Sequence, residues 1–268
     1  MIGAGSFLDD LRREGMLHLG VVRSTEAHAR VLAIHADQAR ARPGVVAVLT
    51  AADLPETARA MPTAYGATRK TRPWTQPVLA ADRVRYVGEP VAAVVADDTY
   101  RLADALETVR VEYEPLPALT TAEAALGSPT RLHDGWPDNV AITAEGAVGD
   151  AERGLAAAGV VIRERLRHPR LAGNPIETRG VLAYPDGDTL VVASSQQNPY
   201  LLRDALATTL ALPAEQVRVV LPDVGGAFGP KGSVYPEEIL VAAAARRLGR
   251  PVKWVESRRE HLMATGHD

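Results

Sequence analysis

Short apolar runs, each about the length of one β-strand, alternate with helical patterns along this chain, and this alternation limits its possible folds more than any other feature. In the first half the strand-like runs are 17–22, 45–50, 90–96 and 109–114, and a helical pattern occupies 99–108. Apolar residues with these two periods indicate strands and helices in one core. We therefore expect mixed α/β packing.

The alternation returns in the second half of the chain. "VVIRERLRH" (160–168) has the composition of a strand, and "RGVLAY" and "DTLVVASS" flank a "PDG" turn. Asp-Gly supplies the positive φ that a tight hairpin needs, so a hairpin is predicted there. The segment "PVKWVES" predicts one more strand.

Two helices are predicted between these strands. "NPYLLRDALATTLAL" offers Asn198 as N-cap and buries a leucine stripe that repeats every four residues. "YPEEILVAAAARRLG" has Pro236 near its start, acidic residues in the first turn, basic residues in the last turn and Gly249 as its stop. Both segments follow a strand-like run through a polar turn.

A stretch rich in Pro, Gly, Thr and Asp separates the two halves, at 115–148. Such composition is typical of a linker. We expect a first domain at 1–125, a linker at 126–148 and a second domain at 149–268. The fold class is predicted to be α+β.

Composition excludes several classes of function. The formal net charge is −3 and the pI is about 6.2, which argues against a nucleic-acid or membrane-surface partner. Apolar runs fall short of the roughly 20 residues of a membrane span, so a soluble cytoplasmic protein is expected. The chain has no cysteine; it can supply no disulfide, cysteine nucleophile or thiolate-bound iron–sulfur cluster.

Common cofactor and catalytic motifs are absent. "GAGSFL" follows no strand, and "GPKG" lacks the Gly-Lys-Ser/Thr order of a phosphate loop. The seven histidines have no spacing that would bring two ligands and a carboxylate together. No protein-ligated metal and no catalytic residue are predicted.

Two polar turns remain, each directly after a strand. "SSQQNPY" carries two carboxamides, and "DVGGAFGPKG" offers glycine amides that can approach a ligand closely. Together they would make a neutral donor cluster suited to an oxyanion or an oxo group. For the glycines, a tight turn explains the pattern as well as a binding role does, and the glutamines taken alone favour a structural role.

Taken in order, these segments resemble one protein family over the whole chain. "LHLGVVRSTEAHARV", "PGVVAVLTAADLP" and "PVLAADRVRYVGEPVAAVVADD" resemble an α/β-hammerhead domain. "NPIETRGVLAY", "SSQQNPYLLRDALA" and "VRVVLPDVGGAFGPK" resemble the first part of a molybdopterin-binding domain. The chain is thus similar to the N-terminal portion of the large subunit of the xanthine dehydrogenase and aldehyde oxidase family, which includes the aerobic carbon monoxide dehydrogenases and many bacterial heterocycle and aldehyde dehydrogenases.

The resemblance implies a cofactor and the residues that contact it. The cofactor is the molybdenum cofactor, as molybdopterin or its cytosine dinucleotide, and the protein gives the metal no direct ligand. The implied cofactor-binding residues are Gln197, Gly226, Phe228 and Gly229. No iron–sulfur cluster or flavin is expected on this chain.

Three positions qualify the resemblance. Ala227 stands where the family usually has a third glycine, a mild change if this residue needs no positive φ. Gly232 follows Lys231 where xanthine-type members carry a purine-contacting glutamate, which argues against purine as substrate. Arg179 lies in the family motif "ETRG" and is assigned a structural role.

The resemblance also implies a function and its partners. Family members oxidise an aldehyde, an N-heterocycle or a similar small molecule with water as the oxygen source, and a glutamate near the C-terminus of the longer family subunit activates the oxygen. No residue here matches that glutamate. Partners would be a second chain that completes the large subunit, an iron–sulfur subunit and an FAD subunit. The alternatives are a truncated or assembly module without catalysis, or an anion- or nucleotide-binding domain.

Overall fold

The computed structural model describes residues 3–62, 70–72 and 75–266. Within these ranges the strands are β1 (Leu17–Arg23), β2 (Ala29–His35), β3 (Val45–Leu49), β4 (Ala60–Pro62), β5 (Lys70–Thr71), β6 (Thr75–Pro77), β7 (Arg83–Val84), β8 (Pro90–Ala96), β9 (Arg110–Pro115), β10 (Ile142–Thr143), β11 (Gly180–Asp186), β12 (Thr189–Ser194), β13 (Val217–Val220) and β14 (Val252–Val255). The α-helices are α1 (Asp37–Arg40), α2 (Thr99–Leu106), α3 (Ala122–Gly127), α4 (Ala151–Ala156), α5 (Pro199–Thr209), α6 (Pro236–Leu248) and α7 (Arg258–Ala264).

One mixed sheet runs through both halves of the chain. Its seven strands lie in the order β13-β12-β11-β14-β1-β8-β3. The halves meet where β1 pairs in parallel with β14, with Leu17 opposite Val252. The first half also forms a smaller antiparallel sheet, in the order β7-β2-β9.

Helices cover both faces of this sheet. On one face α5 and α6 contribute Leu202, Leu206 and Ile239 to a core that includes Val95 of β8. On the other face α1 and α2 pack against Val94 of the same strand. Every residue of β8 is buried, which explains its continuous apolar sequence.

The structure confirms most of the predicted elements. β1, β8, β9 and α2 lie at the predicted positions, as do both long helices of the second half. The predicted hairpin forms from β11 and β12, and Gly187 has the positive φ of 57° that the turn requires. Gly249 ends α6 with a φ of 62°. The α+β class is therefore confirmed.

The strand predicted at 160–168 is wrong. This segment has no regular secondary structure, and Val160, Ile162 and Leu166 are exposed. None of the strands in the described residues pairs with it. A strand is stabilised by hydrogen bonds to a neighbour, so strand-like composition alone does not produce one.

The segment predicted as a linker contains little regular structure. β10 lies within 126–148, and α3 ends just inside its first residues. The boundaries 1–125, 126–148 and 149–268 stay predictions. Within the described residues, no helix combines the length and apolar character that crossing a bilayer requires.

Candidate functional site

The structure brings the two polar turns into direct contact. The Gln197 amide donates to Lys231 O at 2.8 Å, and Asn198 Nδ2 donates to Gly232 O at 2.7 Å. Asn198 is the N-cap residue of α5, as predicted, but its side chain makes no capping bond and spans to the other turn instead. The turns lie together because they follow β12 and β13, two neighbouring parallel strands whose carboxyl ends lie at the same edge of the sheet.

The glycine loop at 225–229 has an unusual backbone. Gly226 and Gly229 have φ values of 98° and 97°, and Phe228 has 53°. Phe228 is a rare non-glycine residue in the left-handed region, and its side chain is largely exposed at 68%. Ala227 has no positive φ; the family glycine at this position is replaced without backbone strain.

Four of the five amides of this loop lack an acceptor in the described part of the chain. Among the described residues, no hydrogen bond is made by the N–H groups of 226–229. Successive free amides in a loop with left-handed residues form a concave donor site for anions. A Cβ on Gly226 would lie 3.0 Å from Pro175 Cβ, so glycine lets the backbone adopt this shape.

The two adjacent glutamines have different roles. Gln196 is buried; its Nε2 donates to Ser233 O at 2.9 Å and its Oε1 accepts from the Gln197 amide at 2.8 Å. Gln197 is exposed, and its side chain makes no hydrogen bond within the described part of the chain. Gln196 therefore fixes the turn, and Gln197 is free to contact a ligand.

A buried ion network lies behind the two turns. Arg179 pairs with Glu237 at 3.1 Å and with Glu256 at 2.5 Å, and Arg23 pairs with Glu237 at 2.7 Å. The ring of Tyr235 lies 3.8 Å from the Arg179 guanidinium. These contacts agree with the structural role predicted for Arg179. The sequence alone did not identify Glu237 and Glu256 as its partners.

Burial and charge act in opposite directions on the carboxylates near this network. Burial alone would raise the pKa of Glu237, but Arg179 and Arg23 outweigh it and lower the pKa to about 2. Burial raises the pKa of Glu238 despite the bonds it accepts from Ser194 and Tyr235. Glu237 is thus firmly ionised, and the adjacent Glu238 is held closer to its neutral form.

Sequence reasoning missed most of these buried polar residues. The sequence pattern indicates only that Glu237 and Glu238 are acidic residues in the first turn of a helix, yet both are buried. Lys231 is fully buried and pairs with Glu177 at 2.7 Å. One signal in the sequence could have indicated them: charged residues lie next to or within apolar segments. A charge that is buried with such a segment requires a partner of opposite charge.

The chain is similar to known proteins over its whole length. It is 40% identical over 272 residues to the 6-hydroxypseudooxynicotine dehydrogenase complex subunit gamma of Paenarthrobacter nicotinovorans, covering 100% of this chain and 34% of that protein. It is 37% identical to the carbon monoxide dehydrogenase large chain of Hydrogenophaga pseudoflava, covering 98% and 34%. It therefore spans about a third of the length of these relatives.

A solved structure and two family matches agree with these relatives. Quinoline 2-oxidoreductase from Pseudomonas putida 86 superposes with a TM-score of 0.92 at 37% identity, over 99% of this chain and 34% of that one. Residues 2–117 match the aldehyde oxidase and xanthine dehydrogenase a/b hammerhead domain, and residues 132–268 match the molybdopterin cofactor-binding domain. The chain therefore belongs to the family of xanthine dehydrogenase and carbon monoxide dehydrogenase large subunits, of which it holds the hammerhead domain and part of the cofactor-binding domain.

Proposed function

We propose that this chain is the N-terminal part of the large subunit of a molybdenum hydroxylase that oxidises an aldehyde, an N-heterocycle or a similar small molecule. The single observation that carries the proposal is the set of free backbone amides at 226–229 beside the free carboxamide of Gln197. The molybdenum cofactor, when bound, would supply the two-electron oxidation in which water is the oxygen source. The chain supplies position and electrostatics.

The residues present fit such a group. The dithiolene and oxo groups of the cofactor carry negative charge, and fixed amide donors stabilise negative charge without reorganising. Gly226, Phe228 and Gly229 supply the positive φ values of the loop that carries these amides, and Gln197 adds a donor from the neighbouring turn. These four residues are our proposed cofactor contacts, for either the molybdopterin form or its cytosine dinucleotide.

The proposal includes partners. The relatives are themselves a complex subunit and a large chain. We propose that the rest of the large subunit completes the cofactor site, and that an iron–sulfur subunit and an FAD subunit take the electrons. The absence of cysteine from this chain means that any thiolate-bound cluster must be held elsewhere.

The decisive measurement is molybdenum content by mass spectrometry. The chain is purified from a host that makes the cofactor, once alone and once with the coding sequence that follows it. We expect near-stoichiometric molybdenum in the completed complex. Gln197→Ala should weaken cofactor binding by about three- to tenfold, which corresponds to one lost hydrogen bond of about 1 kcal/mol, and should lower the metal content below that of the wild-type complex.

A matched control separates the site from general damage. Gln38 is an exposed glutamine on α1, in the first half of the chain, and Gln38→Ala should leave the metal content unchanged. Metal in neither preparation would contradict the proposal and favour an assembly module without a cofactor. Tight binding of a nucleotide instead of molybdenum would favour a non-redox anion-binding domain.

A further inference from the structure

Glu177 contacts the glycine loop at several points. Its carboxylate accepts from the Gly225 amide at 2.8 Å and from Lys231 Nζ at 2.7 Å. Its own amide donates to Gly225 O at 3.1 Å. One residue therefore joins the start of the loop to the lysine that follows its end.

The environment of this pair makes the contacts strong. Lys231 has no exposed side-chain surface and Glu177 has 16%, so water competes little for either charge. The Leu8 amide donates to the other carboxylate oxygen at 3.3 Å. With one amide on each oxygen and an ammonium on one of them, the orientation of the carboxylate is fixed.

The loop packs directly against the segment that carries Glu177, residues 173–177. A Cβ on Gly225 would lie 2.6 Å from Glu177 Cβ, and one on Gly173 would lie 2.7 Å from Pro230. These distances leave no space for a side chain at either glycine. Loop and segment therefore fit together at both ends of the loop.

Helix α7 fixes the 173–177 segment from behind. Arg258 donates to Asn174 Oδ1 at 2.5 Å and to Ile176 O at 3.0 Å. His261 Nε2 donates to Gly173 O at 2.7 Å. The support of Glu177 is consequently rigid, as a positioning role requires.

From these contacts we propose that Glu177 is a positioning residue that holds the loop 225–229 in the shape that receives the cofactor. The inference rests on the function proposed above, since the loop is its cofactor contact. Glu177 itself touches no loop amide beyond Gly225 and acts through the backbone. Preformed donors need no ordering when the ligand binds, which raises affinity.

Hydrogen exchange of the cofactor-free chain tests the holding role without any reference to activity. In Glu177→Ala the hydrogen-bonded amides of the peptide 223–232, among them those of Gly225 and Gly232, should exchange about tenfold faster, as expected for loss of a bond to a charged group. Peptides from α6 should be unchanged. A loop that exchanges as in the wild-type chain would overturn the proposal.

The control is a second carboxylate paired with a buried lysine. Asp9 lies 2.9 Å from Lys253, whose side chain is 3% exposed, and it makes no hydrogen bond or ion pair to the loop within the described residues. Asp9→Ala should leave the 223–232 peptide unchanged. Equal acceleration in this variant would mean general loosening and would also overturn the proposal.

Molybdenum content of the completed complex then tests the link to the cofactor. If the loop of Glu177→Ala is ordered in only one molecule in ten, the apparent affinity for the cofactor falls about tenfold. The molybdenum content of this variant should then be lower than that of the wild-type complex. Glu177→Gln keeps one acceptor oxygen, for the Gly225 amide or for the Leu8 amide, and its metal content should fall between those of the wild-type complex and Glu177→Ala. Full metal content in Glu177→Ala would overturn the link. A wild-type complex without molybdenum would refute the proposed function instead, while the exchange result would still decide whether Glu177 orders the loop.

Discussion

Adjacent glycines in the loop are required for two different reasons. At Gly225 the backbone passes so close to Glu177 that a Cβ would lie 2.6 Å from the Cβ of that residue. At Gly226 the φ of 98° itself excludes most other residues. The sequence predicted a glycine-dependent loop at this place, but it could not separate close approach from backbone conformation.

Substitution of Gly225 provides a test of the close approach. Gly225→Ala forces the loop or the 173–177 segment to move, and we expect the free energy of unfolding to fall by about 1–3 kcal/mol, the usual cost of overpacking. Urea unfolding measures this change. The control is Gly154→Ala on α4, where nothing lies within 4 Å of the added Cβ. It should leave stability equal or raise it by up to about 1 kcal/mol, and equal losses in both variants would contradict the crowding.

The limits of sequence prediction are clearest at Glu177 and Gln197. The sequence pattern places Gln197 in a polar turn before a helix start, but only the family resemblance predicts it as a cofactor contact. Glu177 lies 48 residues from Gly225, so no local pattern links them. Contacts of this kind depend on tertiary packing, and the family resemblance supplied cofactor contacts but not their supports.

Helix α6 shows how much local sequence determines and where packing takes over. Its limits followed from Pro236 and Gly249, and the structure places them as predicted. The contacts of the helix could not be predicted from local sequence, since Glu237 in its first turn is buried between Arg23 and Arg179. The segment 160–168 shows the converse, because its strand-like composition has no neighbouring strand to pair with among the described residues.

The ion pairs of Glu237 make stability depend on pH. Its pKa falls from an ordinary value of 4.5 to about 2 in the folded chain, so the folded state binds fewer protons than the unfolded state between these values. The contribution is complete above pH 4.5 and is lost as the pH falls toward 2. We expect Glu237→Gln to lower the free energy of unfolding by about 3 kcal/mol at pH 7, because it leaves buried arginine charge uncompensated.

Denaturant unfolding between pH 7 and pH 3.5 checks this expectation. The difference between wild-type chain and Glu237→Gln should shrink as the pH falls. Glu112→Gln is the control, since Glu112 pairs with His35 on the surface with 61% of its side chain exposed, and its effect should stay within about 0.5 kcal/mol. A constant difference across the pH range would show that the ion pairs do not cause the loss.

The chain as a whole is held together by a sheet that neither half could complete alone. β1, β3 and β8 come from the hammerhead half, and β11 to β14 from the cofactor-binding half. Arg23 adds buried ion pairs to Glu237 and Glu260 across the same junction. Sequence patterns predicted the two halves and their fold class, but the shared sheet was not predictable, since pairing between distant strands leaves no local pattern.

This shared sheet predicts cooperative unfolding. In urea, fluorescence of Trp254, which is buried in β14, should change at the same midpoint as hydrogen-exchange protection of β8. Coincident transitions by different probes indicate a two-state process. Separate midpoints would show that the halves unfold independently despite the shared sheet.

The parallel pairing of β1 with β14 also affects synthesis in the cell. The two strands lie almost a whole chain apart in sequence, yet they are neighbours in the sheet. During translation, β1 is made early and waits with one edge unpaired until β14 emerges. Distant pairings of this kind slow folding, and an open strand edge invites association with other chains. Nascent chains of this protein should therefore depend on chaperones until β14 is made.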